Sequence, residues 1–583
     1  MNWKFSLLVL FTFCVRSYSQ TQSPVFVHPL VDEKMDQTDP FSCLLVLKVQ
    51  DPGLTVPDDI SKAEKSNLVF EALNVLAETT QAAIIDSLDA WNIPYRSFYI
   101  ANVIQAMLDS TTVTKLKFRN ELQSILPDFP LSTPSVSHSP IDVRRLDTLL
   151  HWGIGQIRAD SVWNTGITGK EVVVAGLDTG VEWDHDFLSE SYRGNQESRT
   201  VDHNYNWHDA ILRINPIHKD SIVSSANNPC GLDLQSPCDD DGHGTLTMGL
   251  MTGISDGQHT GIAPGARWIG ARVMERGYGH LSTYLSGLEW CLAPTDTNGL
   301  NPRPDLAPDI INNSWGCPRM EGCIPENYWI LDSASVRLHR AGIFVLASAG
   351  NDGREGCSSL TTPLAVFPSV FTVGATDIQD SISAFSSRGP TDETSLVKPE
   401  VVAPGQGITS IYPRGKFRTS SGTSISGPIT AGVAALILEA NPALRGRPDL
   451  LREILIKSAI PILENPCDEA SHPNPVYGYG RIDALGAVQL AREYFPTSSS
   501  SRMPSFDIRM FPNPVRGILH LRNQNMESAR IIIFNTQGQL MNTYILSEME
   551  SREIEVSKYH PGIYFVHFTV GLDTVVLKLV KID

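Results

Sequence analysis

The sequence predicts an α/β protein: a parallel sheet with helices on both faces, preceded by a small α+β unit and followed by a small β-sandwich. Three observations carry that expectation. Between Trp152 and about Phe495 the runs Val172–Leu177, Trp268–Val273, Ile310–Ile311, Ile343–Ala347 and Val370–Val373 are almost continuously apolar, as strands buried on both faces must be. Residues 506–583 instead alternate apolar and polar positions in short runs broken at Gly517, Gly538, Gly562 and Gly571, the pattern of a small sandwich. The chain has 583 residues, 42% hydrophobic and 19% charged, too many for one ordinary domain and apolar enough for a large core. The net charge of −18 argues against nucleic acid or an anionic membrane as partner.

Each element follows from its residues. Residues 1–19 read as a signal peptide, with Lys4 as the charged start, Phe5 to Cys14 as the apolar stretch and Ser17-Tyr18-Ser19 at the cleavage end. That stretch is shorter than the roughly 20 residues that cross a bilayer. No other stretch reads as a transmembrane segment, so an exported, soluble protein is expected. Residues 20–140 form the small α+β unit: a strand over Cys43–Val49, a helix from about Lys62 to Trp91 with Ile84, Ile85 and Leu88 on one face, a strand over Tyr95–Ile104 and a helix over Thr112–Leu126. The Pro- and Ser-rich stretch Pro127–Pro140 then separates this unit from residues 141–495, and such segments are where chains are cut. Residues 496–505 are a Ser-rich linker. Of the nine cysteines, Cys230/Cys238 and Cys317/Cys323 lie close enough for short-loop disulfides. Pairing among Cys291, Cys357 and Cys467 stays open, and no spacing fits a zinc site.

Reactive groups sit at three places in the central domain. Asp178 ends the run Val172–Leu177, His243 lies between two glycines in Asp241-Gly-His-Gly-Thr245 at the start of a helix reaching about Gly253, and Ser424 stands before the apolar helix Ile429–Ala440. Alone, an Asp after a strand is a turn residue and a Ser at a helix start is a cap. Together they supply what an alkoxide nucleophile needs: a base within reach and a carboxylate to orient that base.

These motifs, Val174-Ala-Gly-Leu-Asp178-Thr-Gly180, Asp241-Gly-His243-Gly-Thr245 and Gly422-Thr-Ser424-Ile-Ser-Gly-Pro428, in the order Asp, His, Ser, resemble those of subtilisin-type serine proteases. Ala349-Gly-Asn351-Asp-Gly353 is similar to the oxyanion-hole stretch of that family. The resemblance implies that Ser424 attacks the scissile carbonyl, His243 moves the proton, Asp178 orients the imidazole and Asn351 stabilises the oxyanion. Asn312-Asn-Ser314-Trp315-Gly316 resembles the edge strand that pairs with extended substrate, and Trp315 reads equally as a wall of the S1–S4 region or as a packed core aromatic. The segment Cys357–Pro368, with Thr361 or Thr362 near its base, is expected to line S1; it holds no prominent carboxylate, so uncharged apolar P1 residues are expected. Phe187 stands where calcium-binding relatives carry an acid. No cofactor is therefore expected, calcium staying unassigned, and Asp239-Asp240-Asp241 reads as a solvated loop.

In the light of this resemblance, residues 20–140 look like an inhibitory propeptide. Residues 506–583, through Phe511-Pro-Asn-Pro-Val-Arg-Gly517, Ile531–Gly538 and Pro561-Gly-Ile-Tyr-Phe-Val566, are similar to the C-terminal sorting domain of type IX secretion. The expected protein is a secreted endopeptidase made as a zymogen. Its partners would be protein or peptide substrates, its own propeptide and the type IX machinery. The alternative is a catalytically inactive surface or adhesion protein on the same fold. A sedolisin-type peptidase would lack His243, and a lipase would place its Ser first.

Overall fold

The computed structural model describes residues 25–131, 151–195, 200–219, 223–224, 227–468, 470–494, 508–523, 528–535, 540–570 and 573–582. The expected signal peptide 1–19, the expected linker 496–505 and most of the Pro- and Ser-rich stretch 127–140, where cutting is expected, lie outside them. The chain divides into two compact units, one ending at Tyr494 and one beginning at Phe495.

The first unit opens with a five-stranded sheet of Phe26–Val27 (β1), Phe41–Leu47 (β2), Tyr95–Phe98 (β3), Val103–Leu108 (β4) and Leu122–Pro127 (β5), in the order β1-β5-β2-β4-β3. Three helices accompany it: Pro29–Lys34 (α1), Lys62–Ala90 (α2) and Ser110–Leu116 (α3). α2 starts where Ser61 and Glu64 form a reciprocal capping box, satisfying two N–H groups that a helix start leaves free. Two expectations change here. Tyr95–Ile104 is two strands, because Asn102 turns the chain at φ +44°. The helix expected over Thr112–Leu126 stops at Leu116, and Leu122–Pro127 pairs with β2 instead. That strand buries almost every residue from Leu122 onward, more apolar surface than one helical stripe could cover.

The main sheet holds seven parallel strands. They are Val173–Asp178 (β6), Trp207–Asp209 (β7), Arg267–Arg272 (β10), Ile310–Asn313 (β11), Phe344–Ser348 (β12), Phe371–Thr376 (β13) and Val401–Pro404 (β14), with the small hairpin Ile254–Ser255 (β8) and Gln258–His259 (β9) outside it. Their order is β14-β13-β12-β11-β6-β10-β7. The five apolar runs are all in this sheet; β7 and β14 were not expected. Helices cover both faces. After Trp152–Gln156 (α4) and Ala159–Trp163 (α5), His243–Thr252 (α6) and Thr423–Ala440 (α9) pack on one face, while Leu281–Leu292 (α7) and Pro325–Arg340 (α8) pack on the other. Pro448–Ser458 (α10) and Ala484–Ala491 (α11) join the first side. β6 lies between β10 and β11, so successive strands are laid down to one side of it and then to the other. Such a switch point opens a crevice at the carboxyl ends of the strands, where Asp178, Ser314 and Asn351 follow β6, β11 and β12.

Two helices, α2 and α9, are long and apolar enough to span a bilayer by length and composition, which the sequence reading did not anticipate. α9 is the central core helix, buried from Thr423 to Leu438 apart from Ser424, which explains why it is apolar all round. α2 lays Val69, Leu73, Ala77, Ile84 and Leu88 inward.

Three disulfides join Cys230–Cys238, Cys317–Cys323 and Cys357–Cys467. The last resolves the open pairing and leaves Cys291 a buried thiol, as is Cys43.

The second unit packs a three-stranded sheet of Ile508–Phe511 (β17), Ile518–Asn523 (β18) and Ser551–Glu555 (β21) with a four-stranded one of Ala529–Asn535 (β19), Leu540–Leu546 (β20), Gly562–Val570 (β22) and Asp573–Lys581 (β23). Leu519, Leu521, Ile531, Ile533, Ile554 and Val566 form its core, the inward half of the alternating pattern.

Candidate active site

The functional side chains meet at the mouth of that crevice. Asp178 is 3% exposed. Its Oδ1 accepts from the Thr179 backbone N–H at 2.8 Å and lies 2.8 Å from His243 Nδ1, while Thr247 Oγ1 donates to Oδ2 at 3.3 Å. A carboxylate facing Nδ1 fixes the proton there and leaves Nε2 free to accept one. Burial opposes the imidazolium, but the charge and hydrogen bond of Asp178, with Asp241 and Asp239 beyond, outweigh it and raise the His243 pKa to about 9.

His243 begins α6, and the turn before it demands a glycine. Gly242 sits at φ +99°, and a Cβ there would lie 2.4 Å from the Tyr412 ring. Tyr412 donates to the Asp241 carbonyl at 2.5 Å. The run Asp239-Asp240-Asp241 is therefore not a solvated loop. Asp239 accepts from Thr179 Oγ1, from the N–H groups of Asp241, Gly242 and Thr245, and from Thr245 Oγ1. Asp240 pairs with the fully buried Arg272 at 2.8 Å. These acids spend their lone pairs on shaping the histidine turn.

Ser424 lies in the first turn of α9, which starts at Thr423 and not at Ile429. Pro428 inside the helix has no N–H for the carbonyl four residues back, which is that of Ser424. Ser314 Oγ donates to that carbonyl instead, at 3.0 Å, and Ser348 Oγ donates to the carbonyl of Thr423 at 3.0 Å. The proline thus hands the Ser424 turn to side chains at the ends of β11 and β12. A Cβ on Gly422 would stand 3.0 Å from Ser424 Oγ, so glycine keeps the approach to that hydroxyl open.

Asn351 Oδ1 accepts from the Thr423 N–H at 2.9 Å and from Thr423 Oγ1 at 3.2 Å. With Oδ1 so held, Nδ2 is the end turned toward the cleft. Thr423 was missed in the sequence, although its place beside Ser424 was a usable signal.

His243, Asn351 and Ser424 line one cleft of about 560 Å³ with Ser314, Trp315, Gly316 and Thr362. Thr361 is exposed and outside that lining, so Thr362 is the threonine at the wall, packed against Gly316. Trp315 fills both roles weighed for it: it lines the cleft, and it stacks on Tyr284 at 3.7 Å. Among the described residues no hydrogen bond joins His243 Nε2 to Ser424 Oγ, and such contacts commonly tighten only with substrate. Phe187 packs on Phe417 in a T-shaped pair, and no group of His, Cys, Asp and Glu suited to a metal occurs among the described residues.

A parallel sheet with a switch-point crevice holding an Asp–His pair, a serine on a helix start and an amide side chain defines a subtilisin-like serine endopeptidase. The subtilase family pattern matches residues 169–480, more than half of the chain, and the chain belongs to that family. It is 33% identical to Bacillopeptidase F of Bacillus subtilis over 443 residues, 73% of this chain but 29% of that protein. It is 28% identical to the serine protease AprX of B. subtilis over 499 residues, 80% of this chain and 92% of AprX. With subtilisin E of the same organism the identity is 28% over 351 residues, 60% of this chain and 73% of that one. Residues 509–582 match the secretion system C-terminal sorting domain, which with the subtilase domain marks a secreted or cell-surface protein.

Proposed function

We propose that this chain hydrolyses peptide bonds through an acyl-enzyme on Ser424. His243 Nε2 takes the hydroxyl proton and returns it to the leaving amine, and Asp178 holds the imidazole and stabilises its charged form. Asn351 Nδ2 and the Ser424 N–H receive the oxyanion, and the backbone of Ser314–Gly316 pairs with extended substrate. The observation that carries this reading is the 2.8 Å Asp178–His243 pair facing the cleft that Ser424 and Asn351 share. Casein hydrolysis by the wild-type chain, together with labelling of Ser424 by a sulfonyl fluoride, tests it; neither reaction occurring would favour the inactive surface protein.

Replacing Asn351 with Ala is expected to lower kcat by about 10²–10³ with KM little changed, the scale seen when subtilisin loses its oxyanion amide. A kcat unchanged within about threefold would remove Asn351 from that role. The base works only when neutral, so a His243 pKa raised to about 9 places the rising limb of activity on the alkaline side. Activity should fall as pH drops through that value. A pH profile of kcat/KM on an uncharged peptide checks this, and a flat profile from about pH 6 to 10 would refute it.

Residues 25–131 are proposed to act as an intramolecular inhibitor, and residues 508–582 as the part handled by the type IX secretion machinery. The inhibitor reading is supported by how the N-terminal sheet sits on α7 and α8. Glu289 accepts from the Ile100 N–H at 3.0 Å, Lys62 pairs with Asp309 at 2.7 Å, and Asp128 accepts from the Ser282 N–H at 3.1 Å. The Phe129 backbone then passes close beside Gly322 at the edge of the cleft.

A further inference from the structure

We propose that Glu321 selects substrates carrying a lysine or arginine side chain upstream of P1, at one of the P2–P4 positions. The inference rests on the peptidase reading above and adds a charge preference that the sequence did not suggest.

The Cys317–Cys323 disulfide closes a short loop directly after Ser314–Gly316. If substrate backbone pairs with that segment, the loop flanks the upstream half of the peptide. Glu321 sits in this loop and lines the cleft. It is 4% exposed, with Oε2 accepting from Tyr284 OH at 2.7 Å and Oε1 from the Gly279 N–H at 3.2 Å. Neither donor carries a charge, and no lysine or arginine among the described residues forms an ion pair with it. Some buried acids in this molecule find cations, Asp240 and Asp209 sharing Arg272 and Glu400 having Lys398, while Asp239 and Glu289, like Glu321, are held by neutral donors; of these three, Glu321 is the one that lines the cleft. A desolvated carboxylate without a counter-charge is a costly arrangement, so burial pushes its pKa up to about 8 and holds it mostly neutral near pH 7, to ionise when a cation comes alongside.

A second observation points to the same ligand. Trp315 lines the cleft in this region, stacked on the Tyr284 ring whose hydroxyl holds Glu321. An aromatic face beside a carboxylate is the combination that receives an ammonium or guanidinium group. Arg418, the arginine lining this cleft, stands on Lys416–Ser420 (β16) with its guanidinium 5.0 Å over the Tyr412 ring, and among the described residues it forms no ion pair with Glu321. A substrate cation entering here supplies the missing counter-charge and is itself desolvated as it binds.

The test uses the full-length chain and peptides that share every residue except one of P2, P3 and P4, which is Lys, Arg, norleucine or Glu in turn. At one position Lys or Arg should exceed norleucine by about 10–100-fold in kcat/KM, and in Glu321→Gln that ratio should fall to within about threefold. The ratio is independent of how much of the variant is folded. Should E321Q not fold at all, the wild-type scan decides alone, since no cation preference above about threefold overturns the proposal. A preference that persists in E321Q also overturns it, by assigning the selection to another group. Hydrolysis of the norleucine peptides without any cation preference defeats this proposal only, whereas hydrolysis of none defeats the peptidase reading as well.

Discussion

Ser424→Ala is expected to lose casein hydrolysis by about 10⁶-fold, the scale of nucleophile loss in subtilisin-type triads. Its Oγ is the atom that Gly422 leaves uncovered beside Asn351, and no other hydroxyl on the cleft wall shares that position. Ser314 is already bound to the Ser424 carbonyl. Because α9 is anchored through the buried residues around Ser424, removing one oxygen from this half-buried side chain should leave the fold intact. The same variant should remain at precursor mass, with residues before about Trp152 still attached. Intact-mass measurement beside a casein assay reads both outcomes. Residual activity above about 1% would unseat Ser424 as nucleophile, and normal processing would assign maturation to another protease.

Asp178→Asn should lower kcat by about 10⁴ at neutral pH. The amide would turn an N–H toward His243 Nδ1, forcing the proton onto Nε2 and removing the acceptor that Ser424 needs. The side chain keeps its size and its amide oxygen can still accept from Thr247 Oγ1, but the NH2 that faces His243 also faces the Thr179 N–H, so a stability loss of about 1 kcal/mol should accompany the loss of turnover. With its nearest carboxylate gone, His243 should also titrate lower, shifting what activity remains toward lower pH. Steady-state kinetics with a pH profile measures both. A loss smaller than about tenfold would mean that the 2.8 Å contact does not set the tautomer.

Parts of this protein are legible in one dimension. Strands buried on both faces must be apolar throughout, so β6, β10, β11, β12 and β13 stand out as runs, and the helices α2 and α6 lie close to where periodicity and glycine place them. β7, with only Trp207–Asp209, and β14, with only Val401–Pro404, are too short to make a pattern. β5 was mistaken for helix because its neighbours β1 and β2 in the sheet, not its own residues, decide its conformation.

The candidate site divides in the same way. Asp178, His243, Ser424 and Asn351 are recognisable because each sits in a glycine-bearing turn that local chemistry constrains. What holds them is not local. Thr423 on Asn351, Ser314 on the carbonyl that Pro428 orphans, and Tyr412 over Gly242 join segments 72 to 171 residues apart. The sequence by itself determined the candidate reactive groups, the alternation of strands and helices and the C-terminal sorting domain. The tertiary structure alone decided which acids are solvated and which are buried, that Thr362 faces the cleft and Thr361 does not, and that Glu321 lacks a counter-charge. Burial and pairing depend on what the rest of the chain brings alongside a residue, and no local pattern records that.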